Sequence, residues 1–139
     1  MADCRRDFFL PDEDIQFLDN LGLIWEAIQD GNARAVVLYD FLMPPPFRPD
    51  KLNLKINLPQ DYVGGAALDM FFTDEHVTRA DGKSIERLTE SNGFDNKKWW
   101  QWSRHYPKNT RWRPQINTLA THISYVQHLL AQEAGGKTW

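Results

Sequence analysis

The chain has 139 residues, 42% hydrophobic and 25% charged, with a formal net charge of −3. This composition suits one moderate folded core and excludes disorder as the default state. The mild acidity argues against a nucleic-acid binder, and the single cysteine, Cys4, excludes an intramolecular disulfide and a cysteine-rich zinc site.

Leu10-Pro11-Asp12-Glu13-Asp14 reads as a helix start, with proline in the first turn and acidic side chains at the positive end of the helix dipole. Ile15, Leu18 and Leu21 follow at helical spacing, and Gly22 marks the stop. Leu23–Gln29 and Val36–Leu42 read as strands around the turn Asp30-Gly31-Asn32, and Pro44-Pro45-Pro46 ends the second. In Lys51–Leu58, Leu52, Leu54, Ile56 and Leu58 alternate with Lys51, Asn53, Lys55 and Asn57, which predicts one buried and one wet face. Ala66–Thr73 gives a fourth strand, so an antiparallel meander is expected. The polar stretch Asp74–Asn96 is expected to cover the surface, with a short helix at Ser84–Leu88. Ile116, Leu119, Ala120, Ile123, Val126 and Leu130 mark the apolar stripe of a last helix, capped by Asn117 or Thr118 and ended by Gly135-Gly136 before the tail to Trp139. Residues 1–139 are expected to form one α+β domain: an N-terminal helix, a four-stranded meander, an irregular loop, and a C-terminal helix packed on the sheet. No apolar run approaches the ~20 residues of a membrane span, and the N-terminus lacks the apolar stretch of a secretory signal. A cytoplasmic location is the expectation.

Lys97–Pro114 concentrates four of the six tryptophans and six of the sixteen Lys and Arg residues. Trp99, Trp100, Trp102, Arg104, Arg111 and Arg113 are therefore the candidate partner-binding residues, since exposed aromatics and arginines dominate interface energy. The same rings also suit sealing the loop onto the fold, with the arginines stacked on them. Trp112 reads as a core residue. The four histidines, His76, His105, His122 and His128, reproduce no metal-ligand spacing, so no metal or cofactor is expected, and His122 and His128 read as solvated.

The order of elements, together with particular residues, resembles the ubiquitin-conjugating (E2) superfamily. Leu58-Pro59-Gln60-Asp61-Tyr62 followed by Phe71-Phe72-Thr73 resembles its "P-x-x-Y-P" turn and the strand ending "F-x-T", with Val63 in place of the second proline. Trp112-Arg113-Pro114 resembles the "W-S-P" motif before the helix that follows the active site. The resemblance covers about residues 12–132, and it is nearest to the divergent prokaryotic E2-like proteins. It implies a ubiquitin-like modifier or an E1-like activating protein as partner, met through the sheet edge, the first helix or the Trp/Arg loop.

The resemblance also implies a cysteine about eight residues before the tryptophan. Counting back from Trp112 reaches Arg104, flanked by Ser103 and His105, with no thiol. An arginine stays protonated and cannot replace a thiolate. Ser103 with His105 as base is the remaining nucleophile candidate, although neighbouring residues of an extended strand point oppositely. The family's "H-P-N" asparagine aligns either with Asn96 or, by a rival alignment, with His76-Val77-Thr78. The expected function is a non-thioester E2-like component that binds or presents a modifier. The alternatives are a single-stranded nucleic-acid module using residues 97–113, a serine-based transferase, and a small hydrolase using His105 with Asp95 or Ser103.

Overall fold

The computed structural model describes residues 4–108, 110–114 and 116–135. Helix α1 (Asp12–Asn20) begins immediately after Pro11 and buries Leu18. Strands β1 (Trp25–Asp30), β2 (Ala33–Leu42) and β4 (Lys51–Leu58) pair antiparallel, with Val36 opposite both Ala27 and Ile56. Strand β5 (Phe71–Thr73) joins β4 through Leu54↔Thr73, which completes the expected meander. The sheet then continues through β8 (Trp100–Trp102) to β7 (Leu88–Glu90), giving the order β1-β2-β4-β5-β8-β7. Two short strands, β3 (Phe47–Arg48) and β6 (Thr78–Arg79), pair separately. Helix α2 (Leu119–Ala134) closes the fold. Gly136 and the tail to Trp139 lie outside the described residues.

Strand alternation sorts the core into two layers. Val36, Leu38, Leu54, Ile56, Phe71 and Trp102 face the helices and pack with Leu18, Leu119, Ile123, Val126 and Leu130. Each such buried aliphatic side chain contributes roughly 1.5–3 kcal/mol. Ile28, Ala35, Val37 and Phe72 face the other way and are covered by Phe94 and Trp99. That cover is the outer part of the β7–β8 hairpin, which closes in a two-residue turn at Asp95-Asn96, both in the left-handed region (φ 55° and 58°). The hairpin tip is tied down by paired bonds from the Arg5 guanidinium to the Asp95 carboxylate (2.7 and 2.8 Å) and by the Asp95 N–H on Asp30 (2.8 Å).

Five expectations change. The wet face of β4 is wet only at its ends, because Lys55 lies beneath the hairpin and is 3% exposed. Ser84–Leu88 is not helical; Leu88 begins β7, where pairing with Trp102 outweighs local helix propensity. Only Phe71–Thr73 of the Ala66–Thr73 segment is strand, since Gly65 (φ 112°) packs against Pro114 and Met70 takes φ 58°. Ile116 is exposed in a turn before α2 and is not part of its stripe. His122 is buried, and its place in the helix-facing layer is taken up below.

Candidate functional site

Tyr62, the tyrosine of the turn after β4, fixes the two helices against the sheet. Its hydroxyl donates to Asp14 of α1 and accepts the N–H of Leu119 at the start of α2, both at 2.7 Å. Asp14 is therefore more than a helix-dipole complement. It is 1% exposed, its second carboxylate oxygen has no partner among the described residues, and burial raises its pKa against the opposing pull of Tyr62. The close approach of Gly65 to Pro114, where an added Cβ would sit 2.8 Å from the proline ring, holds this turn beside Trp112-Arg113-Pro114.

Beyond the paired β5 and β8, the chain segments at Asp69-Met70 and His105-Tyr106 run side by side along the N-terminal half of α2. They are tied twice. His105 Nδ1 lies 2.7 Å from Asp69 Oδ2 at the surface. Beneath, His122 bridges Met70 and Tyr106: its Nε2 is 2.7 Å from the Met70 carbonyl and its Nδ1 2.8 Å from the Tyr106 hydroxyl. A carbonyl accepts only, so Nε2 carries the proton and Nδ1 accepts from the tyrosine. Burial lowers the His122 pKa, outweighing the opposing effect of the Met70 carbonyl, and this favours the neutral ring. Tyr106 stacks on Tyr125 at 4.3 Å, and its hydroxyl pKa is raised by burial first, then by Tyr125 and Asp69.

An open cleft of about 520 Å³ lies between these segments and the loop that follows. Its walls combine Leu68, Tyr106, Pro107 and Trp112 with the polar groups of Asp69, His105, Lys108, Thr110, Arg111 and Asn117. Asn117 accepts the Arg113 N–H at 2.6 Å and so shapes the loop entering α2. The first turn of that helix is closed by the Thr118 N–H on Thr121 Oγ1 at 3.0 Å.

Arg104 does not open into this cleft. Its Nε and Nη2 lie 2.7 and 2.8 Å from the two carboxylate oxygens of Glu133, in the last turn of α2, and it is 8% exposed. Ser103 Oγ accepts from Gln101 at 3.0 Å, while His105 turns to Asp69, so the serine and histidine do not pair. Asp95 is committed to Arg5, which also removes the Asp95–His105 pairing. Asn96 occupies the hairpin turn, at the opposite end of β8 from His105. His76 meets the Trp100 ring at 5.9 Å and Thr78 belongs to β6; neither lines the cleft.

The tryptophans divide by face. Trp102 is fully buried, stacked on Phe71 at 5.1 Å, with its N–H on Thr73 Oγ1 at 3.1 Å. Trp99 is buried in the opposite layer, donating to the Phe94 carbonyl at 3.1 Å. Trp100 and Trp112 are half-buried, the latter packed against the helix-facing core. Arg111 and Arg113 are exposed, and of the two only Arg111 lines the cleft. Among the described residues no cluster of His, Cys, Asp and Glu suits a metal ion, and no helix is long and apolar enough to cross a membrane.

A family model described as Prokaryotic E2 family E matches residues 10–133. The chain belongs to prokaryotic E2 family E. No curated protein and no solved structure matches it. Membership in this E2 family gives the chain an E2-like role in a prokaryotic system and implies protein partners in a conjugation pathway. Sequence reasoning gave no functional role to Asp69 and Tyr106, which line this cleft, or to His122, which lies buried beneath it. No local pattern signalled them, because residues 69–70 and 105–106 are brought together only by the pairing of Phe71 with Trp102.

Proposed function

We propose that the protein is a non-thioester E2-like component that binds a ubiquitin-like modifier, or its E1-like activating protein, and presents the modifier tail. The supporting observation is the Arg104–Glu133 pair. At the position that the family resemblance aligns with the reactive thiol stands a guanidinium engaged by both oxygens of a largely buried carboxylate. Cys4 is exposed one residue before Arg5, beside the hairpin tip. From that tip the chain runs through the whole of β8 before it reaches His105.

The cleft fits the presenting role. Lys108 and Arg111 offer cations to a carboxylate, and Trp112, Tyr106 and Leu68 give apolar walls for the residues before it. The competing readings have less support. Burial of Trp99 and Trp102 removes two rings from any base-stacking platform, and Ser103 pairs with Gln101 while His105 pairs with Asp69.

The test combines the purified chain with a β-grasp modifier, its activating enzyme and ATP. The expected result is a noncovalent complex weakened by Arg111→Glu, with no covalent adduct on this chain. A reductant-sensitive adduct lost with Cys4→Ser, or a hydroxylamine-labile one lost with Ser103→Ala, would overturn the reading.

A further inference from the structure

The cleft is better built than a tail-holding groove requires. Segments 69–70 and 105–106 are joined by Asp69 to His105 at 2.7 Å and, one residue further on, by Met70 and Tyr106 through the buried His122. Met70 is held at φ 58°, a left-handed conformation that an unbranched, non-glycine residue rarely takes. The visible product of this strain and double tie is the placement of one imidazole at the cleft wall.

An exposed histidine–carboxylate contact of this kind contributes little to stability. The carboxylate accepts only, so Asp69 fixes the proton of His105 on Nδ1 and leaves the Nε2 lone pair available. Nε2 has no partner among the described residues. Lys108 and Arg111 line the same cleft and supply positive charge there.

We propose that His105, oriented by Asp69, is a general base for acyl transfer from a thioester to a primary amine or to water. This deepens the reading of the cleft as the seat of a modifier's C-terminal tail, and the thioester is carried by a thiol outside this chain. The attacking nitrogen forms its bond to the acyl carbon as Nε2 takes its proton. The tetrahedral oxyanion faces the Lys108 and Arg111 charges. Collapse breaks the C–S bond, and the departing thiolate takes the proton back from the imidazolium. An amide and a free thiol result, or a carboxylic acid and a thiol when water attacks, and no electrons change hands.

His105 is the catalytic residue in this scheme; Asp69 and His122 are positioning residues. The geometry calls for no nucleophile from this chain, which separates the proposal from a serine-based transfer.

The test uses full-length protein carrying Cys4→Ser, which has no thiol of its own. The probe is a hexapeptide ending in a Gly-Gly thioester of mercaptoethanesulfonate, with free lysine as acceptor, and released thiol is measured. Expected are an acceleration of about 100-fold over buffer, loss of that acceleration with His105→Ala, and its partial return with added imidazole. Asp69→Asn should lower the rate at least about tenfold while the circular dichroism spectrum is unchanged. A wild-type rate equal to buffer, or a His105→Ala rate equal to wild type, overturns the proposal. Binding of the modifier itself is a separate measurement, so the presenting role can fail or stand independently of this result.

Discussion

Arg104 and Glu133 face each other through two nearly parallel hydrogen bonds of 2.7 and 2.8 Å, joining the chain just after β8 to the last turn of α2. The guanidinium also lies 5.2 Å from the centre of the Trp102 ring, between the core and the helix end. A cation at a helix C-terminus is favoured by the helix dipole as well as by the carboxylate. Its role is therefore structural, whatever chemistry the neighbouring cleft performs.

Removing one partner should be costly, because it leaves the other charge with little solvent. Arg104→Ala is expected to lower stability by about 3–5 kcal/mol. Arg104→Met combined with Glu133→Leu should recover most of that loss, since the desolvation penalty disappears with the charges. Urea unfolding of the two single variants and the double variant tests this. Additive losses in the double variant would show that the pair is not coupled.

Lys55 gives a pH dependence of definite sign. Its amine sits 4.1 Å from the Phe72 ring centre and 4.8 Å from that of Phe94, with Asn57 Oδ1 at 2.9 Å, and burial lowers its pKa from 10.5 to about 8. Between those values the unfolded chain holds a proton that the folded chain has released. Stability attributable to this group therefore rises as pH goes from about 8 to 10.5, by on the order of 3 kcal/mol. Lys55→Met should raise stability near neutral pH and flatten that rise, as read from the urea midpoint across the alkaline range. A midpoint that falls equally in both proteins would contradict it.

The β4 strand shows what a sequence can and cannot carry. Leu52, Leu54, Ile56 and Leu58 announce one buried face through spacing alone, and that face is buried. Lys55 belongs to the other face, whose cover comes from Phe94 and Trp99, about forty residues further along the chain. No local pattern encodes such a cover. The same holds for His122: its polar partners, Met70 and Tyr106, arrive from two separate segments. The Trp-rich stretch hid β8 for a different reason. Trp99 and Trp102 both go inward, but into opposite layers, so the run shows no simple alternation between apolar and polar residues. The motifs at Tyr62 and Trp112 were legible because they are local turns. Their partner Asp14 was masked by an acidic helix start that already had a sufficient explanation.

Asp14 should work against stability as pH rises. Burial raises its pKa above the ordinary 3.8, so the folded state holds the proton more tightly than the unfolded chain. The contribution is fully present below the unfolded value and is lost as pH rises through the folded one. Asp14→Asn keeps an acceptor for the Tyr62 hydroxyl without a charge, and should remove this acid-side trend in thermal unfolding. Tyr62→Phe should cost about 2–3 kcal/mol, because it strands Asp14 and the Leu119 N–H together. If Tyr62→Phe unfolds at the wild-type midpoint, the clamp between the two helices is without energetic weight.

The hairpin tip tests whether Lys55 is covered by a separately mobile element. Arg5 reaches Asp95 at 2.7 Å and Glu26 at 3.4 Å, and its side chain is exposed, so the ties are worth little individually. Arg5→Ala removes both side-chain ties at once, while the Arg5 N–H on Glu26, the Asp95 N–H on Asp30 and the apolar contacts of Phe94 and Trp99 remain. A loss of up to about 1 kcal/mol confined to the hairpin raises its opening constant by about fivefold. Amide exchange at Phe94 and Lys97, whose N–H groups close the turn, should quicken by that factor. Exchange in the middle of α2, at Ile123 and Val126, should stay at the wild-type rate. Acetylation of Lys55 by acetic anhydride should rise in parallel with exchange at the tip, because the amine is reached only when the hairpin lifts. Uniform acceleration across both regions would mean that the hairpin opens only when the whole fold does.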